Sequence, residues 1–533
     1  MATPTREGLG SGTSGVAERS HALRYHPPVT FPTLQRWHFL SALAVCGGVV
    51  LGLANAFGPC TQDDAFISLR YAQNLVDGNG LVYNPGERVE GYTNLLWTLL
   101  LALPLAVGAD PVTSSAGLGL LHFLGAIGAA GLVGRQIAGR SWWALAPPVL
   151  VVLDPFASLE AVEGLETAQY MMVLAVGLWL FLRDQKREGA GWGRFLPSSM
   201  VFALAALVRP EAPLLPALLH AGRLVHGLRM RPGDGGRILR ESLAAGAPIA
   251  IVLVVLSVWR LGYYGELFPN TFHAKTGAAG FAEGLHYLKV HAKDHPGVWC
   301  LMVVGLLWGW KDRCSMAVMV SSTGFLVYVA SVGGDFKPTG RFILPVVIWM
   351  SALGAGVAAR MAPRRGALVA LLVLGSTLVR LPAVLDSAHG WAERRHANLA
   401  ARQLVGTFLR EQLPPDTWIA IHSAGAIPFF SRLPTIDMWG LTDHHIARAP
   451  VPEHTVGLVG HQRGDPAYVF ARAPAIYLPE DKVFTLRAWQ LEVEPGFPGS
   501  FAEEYESITI PLEGRFLNVW VRRGFLRTLH GGD

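Results

Sequence analysis

Residues 63–74 read DDAFISLRYAQN and residues 84–94 read NPGERVEGYTN. The adjacent carboxylates Asp63 and Asp64 come a few residues after the first long apolar segment, at about 38–58. If that segment spans a bilayer, the two aspartates lie where it emerges into water. A helix beginning there would place both at its N-terminus, where the helix dipole favours negative charge. An acidic helix cap is therefore one interpretation of the pair, and a catalytic carboxylate is the other.

The surrounding charges favour the catalytic interpretation. Arg70, Arg88 and Glu90 accompany the aspartates within the same stretch. Ionisable groups beside a bilayer are costly unless they face water or a partner, and for that reason they often mark a functional site. We therefore expect these side chains to line a wet site at the membrane surface.

The composition indicates a polytopic membrane protein. The chain has 533 residues, of which 51% are hydrophobic and 16% are charged, too apolar a balance for a string of soluble domains. The formal charge of +5 does not indicate nucleic acid, because the Lys and Arg residues form short clusters between apolar segments and no single basic face. The four cysteines are dispersed without metal-ligand spacing.

Apolar segments organise most of the chain. Residues 1–37 are rich in Gly, Ser, Thr and Pro, which predicts a disordered cytoplasmic tail. Residues 38–385 form the predicted membrane domain, with an outer loop at 59–112. Its apolar segments lie near 38–58, 92–108, 113–134, 141–153, 168–183, 196–208, 211–226, 243–261, 297–310, 315–332, 342–359 and 367–385. If 92–108 lies in or dips into the outer interface, the basic clusters all fall on the cytoplasmic side, as the positive-inside bias requires.

This topology predicts about eleven crossings of a bacterial cytoplasmic membrane. The N-terminus is then cytoplasmic and everything after about residue 386 is extracytoplasmic. Residues 386–533 are long enough for a domain with its own core. The pattern predicts a helix at 391–412 and strands at 418–422, 434–438, 467–478, 507–512 and 516–521. We expect an extracytoplasmic α/β domain.

The predicted outer loops supply further candidate site residues. Asp335, Lys337 and Arg341 lie in a glycine-containing loop, where cations and exposed backbone N–H groups suit an anion such as phosphate; an ordinary turn is the alternative. His273 and Lys275 end an aromatic stretch that could equally be an interfacial belt. Glu166 belongs to a group of three acids that could simply cap a helix.

The C-terminal region has one dense polar group, made of Asp437, Asp443, His444, His445 and His461. These residue types bind zinc or catalyse hydrolysis, but their spacing matches no zinc signature. We therefore predict no metal site and no cofactor, although a divalent metal remains compatible with the sequence. A sugar-binding or interface role is the expectation for Asp437, Asp443 and His444.

The sequence contains no P-loop, no glycine-rich dinucleotide turn and no Gly-x-Ser-x-Gly elbow, which argues against a soluble nucleotide donor. Several motifs resemble instead the terminal arabinofuranosyltransferases of mycobacterial arabinan synthesis and their bacterial relatives, within the GT-C superfamily of membrane glycosyltransferases. They are DDAFI at 63–67, RYAQNL at 70–75, GLVYNPGERVEGYTN at 80–94, GLET at 164–167, GGDF at 333–336 with Arg341 and Phe342, and GLTD at 440–443 with IAR at 446–448.

The resemblance implies a transferase that takes sugar from a polyprenyl-phosphate carrier at the outer leaflet. It assigns the essential carboxylate to Asp63, with Asp64 as its neighbour. It also implies a C-terminal domain that helps to hold a glycan or glycolipid acceptor, and it leaves the sugar open, with arabinofuranose as one candidate. Membrane lipid is a further expected partner, and nucleic acid is not.

The chemistry of an activated donor agrees with this picture. The enzyme needs a base for the acceptor hydroxyl and cations for the departing phosphate. We assign the base to Asp63, oriented by Asp64, and the phosphate to Lys275, Lys337 and Arg341. Repulsion between the adjacent carboxylates makes one of them bind a proton more tightly, or else a nearby arginine, with Arg70 as the candidate, keeps both ionised. The remaining donor-side candidates are Arg88, Glu90, His273 and Asp335, and those on the acceptor side are Glu166, Asp437, Asp443 and His444.

Two alternatives come from other functional classes. A lipid-linked glycan transporter would need a polar path through the whole membrane, whereas the ionisable residues cluster on one predicted side. A non-catalytic assembly factor whose outer domain binds glycan would need no catalytic base at all.

Overall fold

A computed structural model describes residues 33–187, 191–230, 232–275, 280–335, 337, 339–451, 462–479 and 483–525. The predicted cytoplasmic tail and His461 lie outside these residues, apart from the last few residues of the tail. The chain is mainly helical, and its sheet is confined to the C-terminal part.

Nineteen α-helices are present among the described residues. Helices α1 to α7 are Arg36–Phe57, Asp63–Val76, Leu95–Ala106, Pro111–Ala138, Ala146–Val152, Pro155–Val162 and Thr167–Lys186. Helices α8 to α13 are Leu196–Ala206, Leu214–Met230, Gly235–Tyr264, Asn270–Lys275, Phe281–Asp294 and Pro296–Trp308. Helices α14 to α19 are Arg313–Ser331, Leu344–Ala358, Pro363–Gln412, Ala426–Ser431, Pro466–Ala471 and Phe501–Glu504.

The bundle is built around α15. All fifteen residues of this helix are buried, as expected for a helix that is apolar on every face. It packs against α13, α4, α5 and α14, and the largest apolar cluster of the protein surrounds it. Glycines allow the closest approaches: a Cβ on Gly354 would lie 2.2 Å from the carbonyl oxygen of Leu301 in α13. The centre of the bundle is therefore tightly packed and contains little polar surface.

Each predicted apolar segment coincides with a helix, but the predicted number of crossings is not confirmed. Within the described part of the chain, five helices are long and apolar enough to span a membrane: α1, α4, α10, α14 and α16. A sixth span results if the bent pair Trp142–Val152 and Pro155–Val162 counts as one. The other apolar helices are shorter or more polar; α3, for example, has twelve residues, well below the ~20 that cross a bilayer. This length agrees with the expectation that segment 92–108 does not cross.

Helix α16 joins the bundle to the C-terminal domain. The sequence predicts an apolar segment at 367–385 and a separate helix at 391–412, whereas the structure has one continuous helix of 50 residues that includes Pro382. The predicted domain boundary near 386 therefore falls inside a helix. This helix and α17, which packs on both α16 and α2, connect the C-terminal domain to the end of the bundle where α2 begins.

The C-terminal domain contains a mixed six-stranded sheet. Strands β1 to β6 are Ile419–Ile421, Thr435–Asp437, Ile476–Leu478, Phe484–Thr485, Tyr505–Leu512 and Arg515–Arg522. β1 pairs in parallel with β2 and β3, while β6 pairs antiparallel with β3, β4 and β5. Ile419 and Ile421 face α16, and Ala420 between them faces the opposite apolar cluster, which is the alternation of a strand covered on both sides.

The predicted strands agree with the structure except at 467–478. Residues Pro466–Ala471 form α18 instead, and only Ile476–Leu478 is a strand. The side chain of Asp465 accepts a hydrogen bond from the backbone N–H of Tyr468, and Pro466 occupies the first helical position. Both features are helix-start signals, and they outweigh the aromatic and β-branched residues that suggested a strand.

Candidate active site

Helix α2 holds the carboxylate pair. One face of the helix buries Phe66, Leu69 and Ala72 against α3 and α16, and the other packs Ile67 and Tyr71 against the loop that follows it. Since the helix is fixed on both faces, its N-terminal residues Asp63 and Asp64 are held at the junction of the bundle and the C-terminal domain.

Asp63 is bound by the C-terminal domain. Its Oδ1 accepts a hydrogen bond of 2.8 Å from the backbone N–H of Ala426 at the start of α17. The same oxygen lies 2.9 Å from Nη1 of Arg402 in α16. Burial is the largest influence on the pKa of Asp63 and raises it, and Arg402 acts in the opposite direction. Asp63 is therefore a docking point between α2, α16 and α17.

Gly425 provides a test of this docking. A Cβ on Gly425 would lie 2.1 Å from the backbone oxygen of Asp63 and 2.5 Å from its carboxyl group. We expect Gly425→Ala to push α17 away from α2 and to lower the free energy of unfolding by about 1–3 kcal/mol, measured by denaturation in detergent. Gly117→Ala in α4, where a Cβ meets no atom within 4 Å, is the control. Equal stability of the two variants would contradict close packing at Asp63.

Asp64 points towards a different set of groups. Its Oδ2 accepts a hydrogen bond of 3.1 Å from Nε2 of Gln62. Asp64 is also the acid that acts most strongly on Lys275, at the end of α11: burial lowers the pKa of Lys275, and Asp64 is the strongest influence that raises it. The Lys275 side chain is exposed at its surface, but the protein that surrounds it on the other sides removes much of its contact with bulk water. This combination is typical of a cation that faces a cavity.

Two arginines share the surroundings of Lys275. Arg341 and Arg209 both lower its pKa further, while Asp335 raises it. Arg341 pairs with Asp335 at 2.8 Å, and Arg209 pairs with Glu166 at 2.8 Å. Asp64, Asp335 and Arg341, which the sequence groups with Lys275, therefore all act on its charge. The structure adds Arg209 to this group and makes Glu166 a partner of that arginine.

Lys337 lies in a buried ionic network. Its Nζ is 3.2 Å from Glu163 and 3.8 Å from Glu160, and none of its side chain is exposed. Glu163 also pairs with Arg395 of α16 at 3.2 Å, and Thr339 donates a hydrogen bond of 2.7 Å to Glu160. The charge of Lys337 is neutralised by these protein carboxylates. Lys337 therefore stabilises the contact of its loop with α6 and does not present the free cation that the sequence suggested.

The arginine and glutamate candidates of the first loop have structural partners. Arg70 donates to the carbonyl oxygens of Tyr83, Pro428 and Leu433, at 2.6–2.8 Å, and does not pair with Asp63 as proposed from the sequence; Arg402 has that position. Glu90 forms a two-pronged ion pair with Arg260 of α10, at 2.8–3.1 Å. The exposed Arg88 stacks over the ring of Tyr263.

The predicted acceptor-side residues of the C-terminal domain organise a turn that packs on α11. Asp437 accepts hydrogen bonds from the backbone N–H groups of Trp439, Gly440 and Thr442, and burial raises its pKa to about 6. Asp443 caps the short helix that begins at Ile446, accepting its backbone N–H at 2.9 Å. These two carboxylates are therefore occupied within the turn.

His444 and His273 lie at the exposed edge of this contact. Nε2 of His444 is 2.9 Å from Glu266, which also pairs with Arg448. The pKa of His273 is lowered by burial and by the nearby Arg448. Asn270 connects the two elements by donating to the carbonyl oxygens of Gly440, Leu441 and Asp443. This contact joins α11, and with it Lys275, to the C-terminal domain.

Sequence reasoning missed the arginines of α16. Arg395, Asn398 and Arg402 follow one face of this helix and, with Thr61 and Asp63, line a small cleft beside α17. Their spacing of three and four residues is a polar stripe that the predicted helix at 391–412 already contained. The partner of the stripe was not evident, because Asp63 is more than 330 positions away in sequence.

The C-terminal domain matches a family model described as a domain of unknown function, DUF8728, over residues 392–522. Two curated relatives are named terminal β-(1→2)-arabinofuranosyltransferase. The protein from Corynebacterium glutamicum is 28% identical over 399 residues, which are 66% of this chain and 56% of the relative. The protein from Mycobacterium tuberculosis is 30% identical over 256 residues, 46% of this chain and 39% of the relative. The matched part of this chain therefore spans about half of these relatives, or less.

Solved structures share the fold at low sequence identity. ArnT from Cupriavidus metallidurans, bound to undecaprenyl phosphate, has a TM-score of 0.60 and 14% identity, covering 91% of this chain and 98% of ArnT. The oligosaccharyltransferase AglB from Archaeoglobus fulgidus, in complex with an inhibitory peptide and a dolichol-phosphate, has a TM-score of 0.54 and 11% identity, covering 75% and 64%. The resemblance predicted from the motifs is confirmed: the chain shares the fold of ArnT and AglB and is similar in sequence to the terminal β-(1→2)-arabinofuranosyltransferases.

Proposed function

We propose that this chain is a glycosyltransferase that moves a sugar from a polyprenyl-phosphate carrier to a cell-envelope glycan or glycolipid at the extracytoplasmic face of the membrane. The observation that carries the proposal is the group of charges around Lys275: Asp64 is the acid that acts on it most strongly, and Arg341, which pairs with Asp335 at 2.8 Å, and Arg209 act on the same lysine. A carboxylate next to a cluster of cations is what transfer from a phosphate-linked donor requires. The relatives named above make arabinofuranose the first sugar to test.

We assign the two aspartates different roles. Oδ1 of Asp63 contacts Ala426 in the C-terminal domain and Arg402 in α16, so Asp63 positions the helix. Asp64 acts electrostatically on Lys275 and is the better candidate for the base. This assignment moves the catalytic role by one residue from the one that the motif resemblance implied.

The reaction follows from these positions. The acceptor hydroxyl oxygen forms a bond to the anomeric carbon, and the bond between that carbon and the phosphate oxygen breaks. Asp64 takes the hydroxyl proton, and the electron pair of the broken bond leaves with polyprenyl phosphate. Lys275 and Arg341 stabilise the charge that develops on the phosphate. The lipid tail stays in the bilayer, so the donor needs no soluble binding domain.

A purified-protein assay tests the proposal. The full chain in detergent is incubated with radiolabelled polyprenyl-phosphoarabinofuranose and an arabinan oligosaccharide, and both released polyprenyl phosphate and extended acceptor are measured. We expect equal amounts of the two products. Binding of donor or acceptor without either product would support the transporter or the assembly factor instead.

Lys275→Met tests the binding of the donor phosphate separately from the action of the catalytic base. This change removes the cation beside Asp64, and we expect kcat/KM for the donor to fall by about 10–100-fold, the loss of roughly 1.4–2.8 kcal/mol of phosphate stabilisation. Lys289→Met in α12 is the control, because Lys289 is exposed and takes no part in the proposed site. Unchanged donor kinetics in Lys275→Met would remove this lysine from the mechanism.

A further inference from the structure

A second group of polar side chains lies apart from the carboxylate pair. Asp154 ends α5 and begins α6, His291 is in α12, and His295 begins α13. One potential ligand atom from each of the three lies within 4.8 Å of the others. All three residues are buried, with 2%, 4% and 8% of their surfaces exposed.

Hydrogen bonds within the protein satisfy only some of the polar atoms in this group. Oδ1 of Asp154 accepts the backbone N–H of Phe156 at 3.0 Å, whereas Oδ2 has no hydrogen-bond partner among the described residues. Nε2 of His291 likewise has none within the described chain. An unpaired polar atom of this kind costs about 1–3 kcal/mol when buried. Two of them side by side indicate a missing ligand.

The spacing suits a metal ion better than a hydrogen bond. Oδ2 of Asp154 and Nε2 of His295 are 3.6 Å apart, which is long for a hydrogen bond. Two ligands at about 2.1 Å from one tetrahedral ion are separated by about 3.4 Å. A small shift of either side chain would therefore bring both atoms into the coordination sphere of one ion.

We propose that Asp154, His291 and His295 bind a divalent metal ion of the zinc type. Two imidazoles and one carboxylate are a ligand set that zinc commonly takes, with water in the fourth position. The ion would also supply the positive charge that the buried Asp154 carboxylate lacks, since both histidines are ligands only in their neutral form.

Trp299 determines which nitrogen of His291 takes part. Its indole N–H donates to Nδ1 of His291 at 3.0 Å, so the imidazole proton resides on Nε2 when no ion is bound. When an ion binds Nε2, this proton moves to Nδ1, where it faces the indole N–H of Trp299 as a second donor. Removing the indole donor by Trp299→Phe should therefore preserve binding or strengthen it.

The site would brace the predicted phosphate-binding loop. It joins the break between α5 and α6 to the corner between α12 and α13. His291 also packs on Gly340, where a Cβ would lie 2.6 Å from Cδ2 of the imidazole, and Arg341 follows directly. The proposed ion is therefore structural, and it holds in place the loop that carries Arg341.

Metal content tests this inference independently of transferase activity. The full chain, purified with a tag that contains no histidine, is equilibrated with zinc, passed through a desalting column and analysed by inductively coupled plasma mass spectrometry. We expect about one zinc ion per chain, and a higher midpoint of thermal unfolding with zinc than with a chelator. Asp154→Asn and His295→Gln should each lose both the ion and the zinc-dependent shift.

Two controls come from the same region. His286→Gln changes an exposed histidine of α12, and Asp294→Asn changes the carboxylate beside His295 that pairs with Arg380 at 2.6 Å. Both should retain zinc, as should Trp299→Phe. The proposal is overturned if the natural chain binds no zinc, if Asp154→Asn and His295→Gln retain as much as the natural chain, or if folded Trp299→Phe loses it.

Discussion

Asp64→Asn is expected to lower the rate of sugar transfer by about 10²–10⁴-fold, the usual contribution of a general base. The amide keeps the shape of the side chain and its contact with Gln62, but it cannot accept the hydroxyl proton. The loss should appear in kcat, because Lys275 and Arg341 still bind the donor phosphate. Initial rates over a range of donor concentrations separate kcat from KM.

Asp63→Asn should behave differently. An asparagine oxygen can still accept the N–H of Ala426, while the ion pair with Arg402 is lost. We expect a smaller fall in activity, together with lower stability of the contact between α2 and the C-terminal domain. Asp77→Asn at the far end of α2, where the carboxylate pairs with Arg432 on the surface, should change neither quantity. If Asp63→Asn abolishes transfer while Asp64→Asn retains it, the roles are the reverse of those proposed.

Lys337→Met is expected to lower the free energy of unfolding by about 3–5 kcal/mol, the typical cost of removing one partner from a buried ion pair. Glu163 would retain Arg395, whereas Glu160 would be left as a buried charge without its cation. Unfolding in mixed detergent micelles, followed by tryptophan fluorescence, measures the loss. The exposed Lys293→Met in α12 should lie within about 0.5 kcal/mol of the natural chain.

A second change identifies the cause of that loss. Glu160→Gln removes the stranded charge and keeps one of the two oxygens, which can accept from Thr339 or from Thr167. The double variant Lys337→Met with Glu160→Gln should therefore be more stable than Lys337→Met alone. If the losses of stability caused by the two single changes simply add in the double variant, Lys337 stabilises the loop by packing and not by charge.

The membrane class, the helical segments and the importance of residues 63–94 could be predicted from the sequence. These features depend on local sequence. Apolar runs predict helices, and an acidic pair that follows an apolar run predicts where the next helix starts. Strands β1 and β2 and the hairpin of β5 and β6 were also predictable from β-branched residues bounded by turns. The predicted strand at 467–478 was wrong in its first half, because Asp465 and Pro466 begin a helix there.

Pairing between charges could not be predicted, because it depends on which helices meet. The sequence by itself determined that Asp63 and Asp64 stand together at a helix start, and that Lys337 and Arg341 lie in a glycine-containing loop. Only the tertiary structure decided that Asp63 pairs with Arg402, that Lys337 is neutralised by Glu160 and Glu163, and that Asp64 is the acid that acts most strongly on Lys275. The physical reason is that a buried charge must find its partner across the fold, and consecutive residues of a helix point about 100° apart, so that two adjacent acids meet different partners.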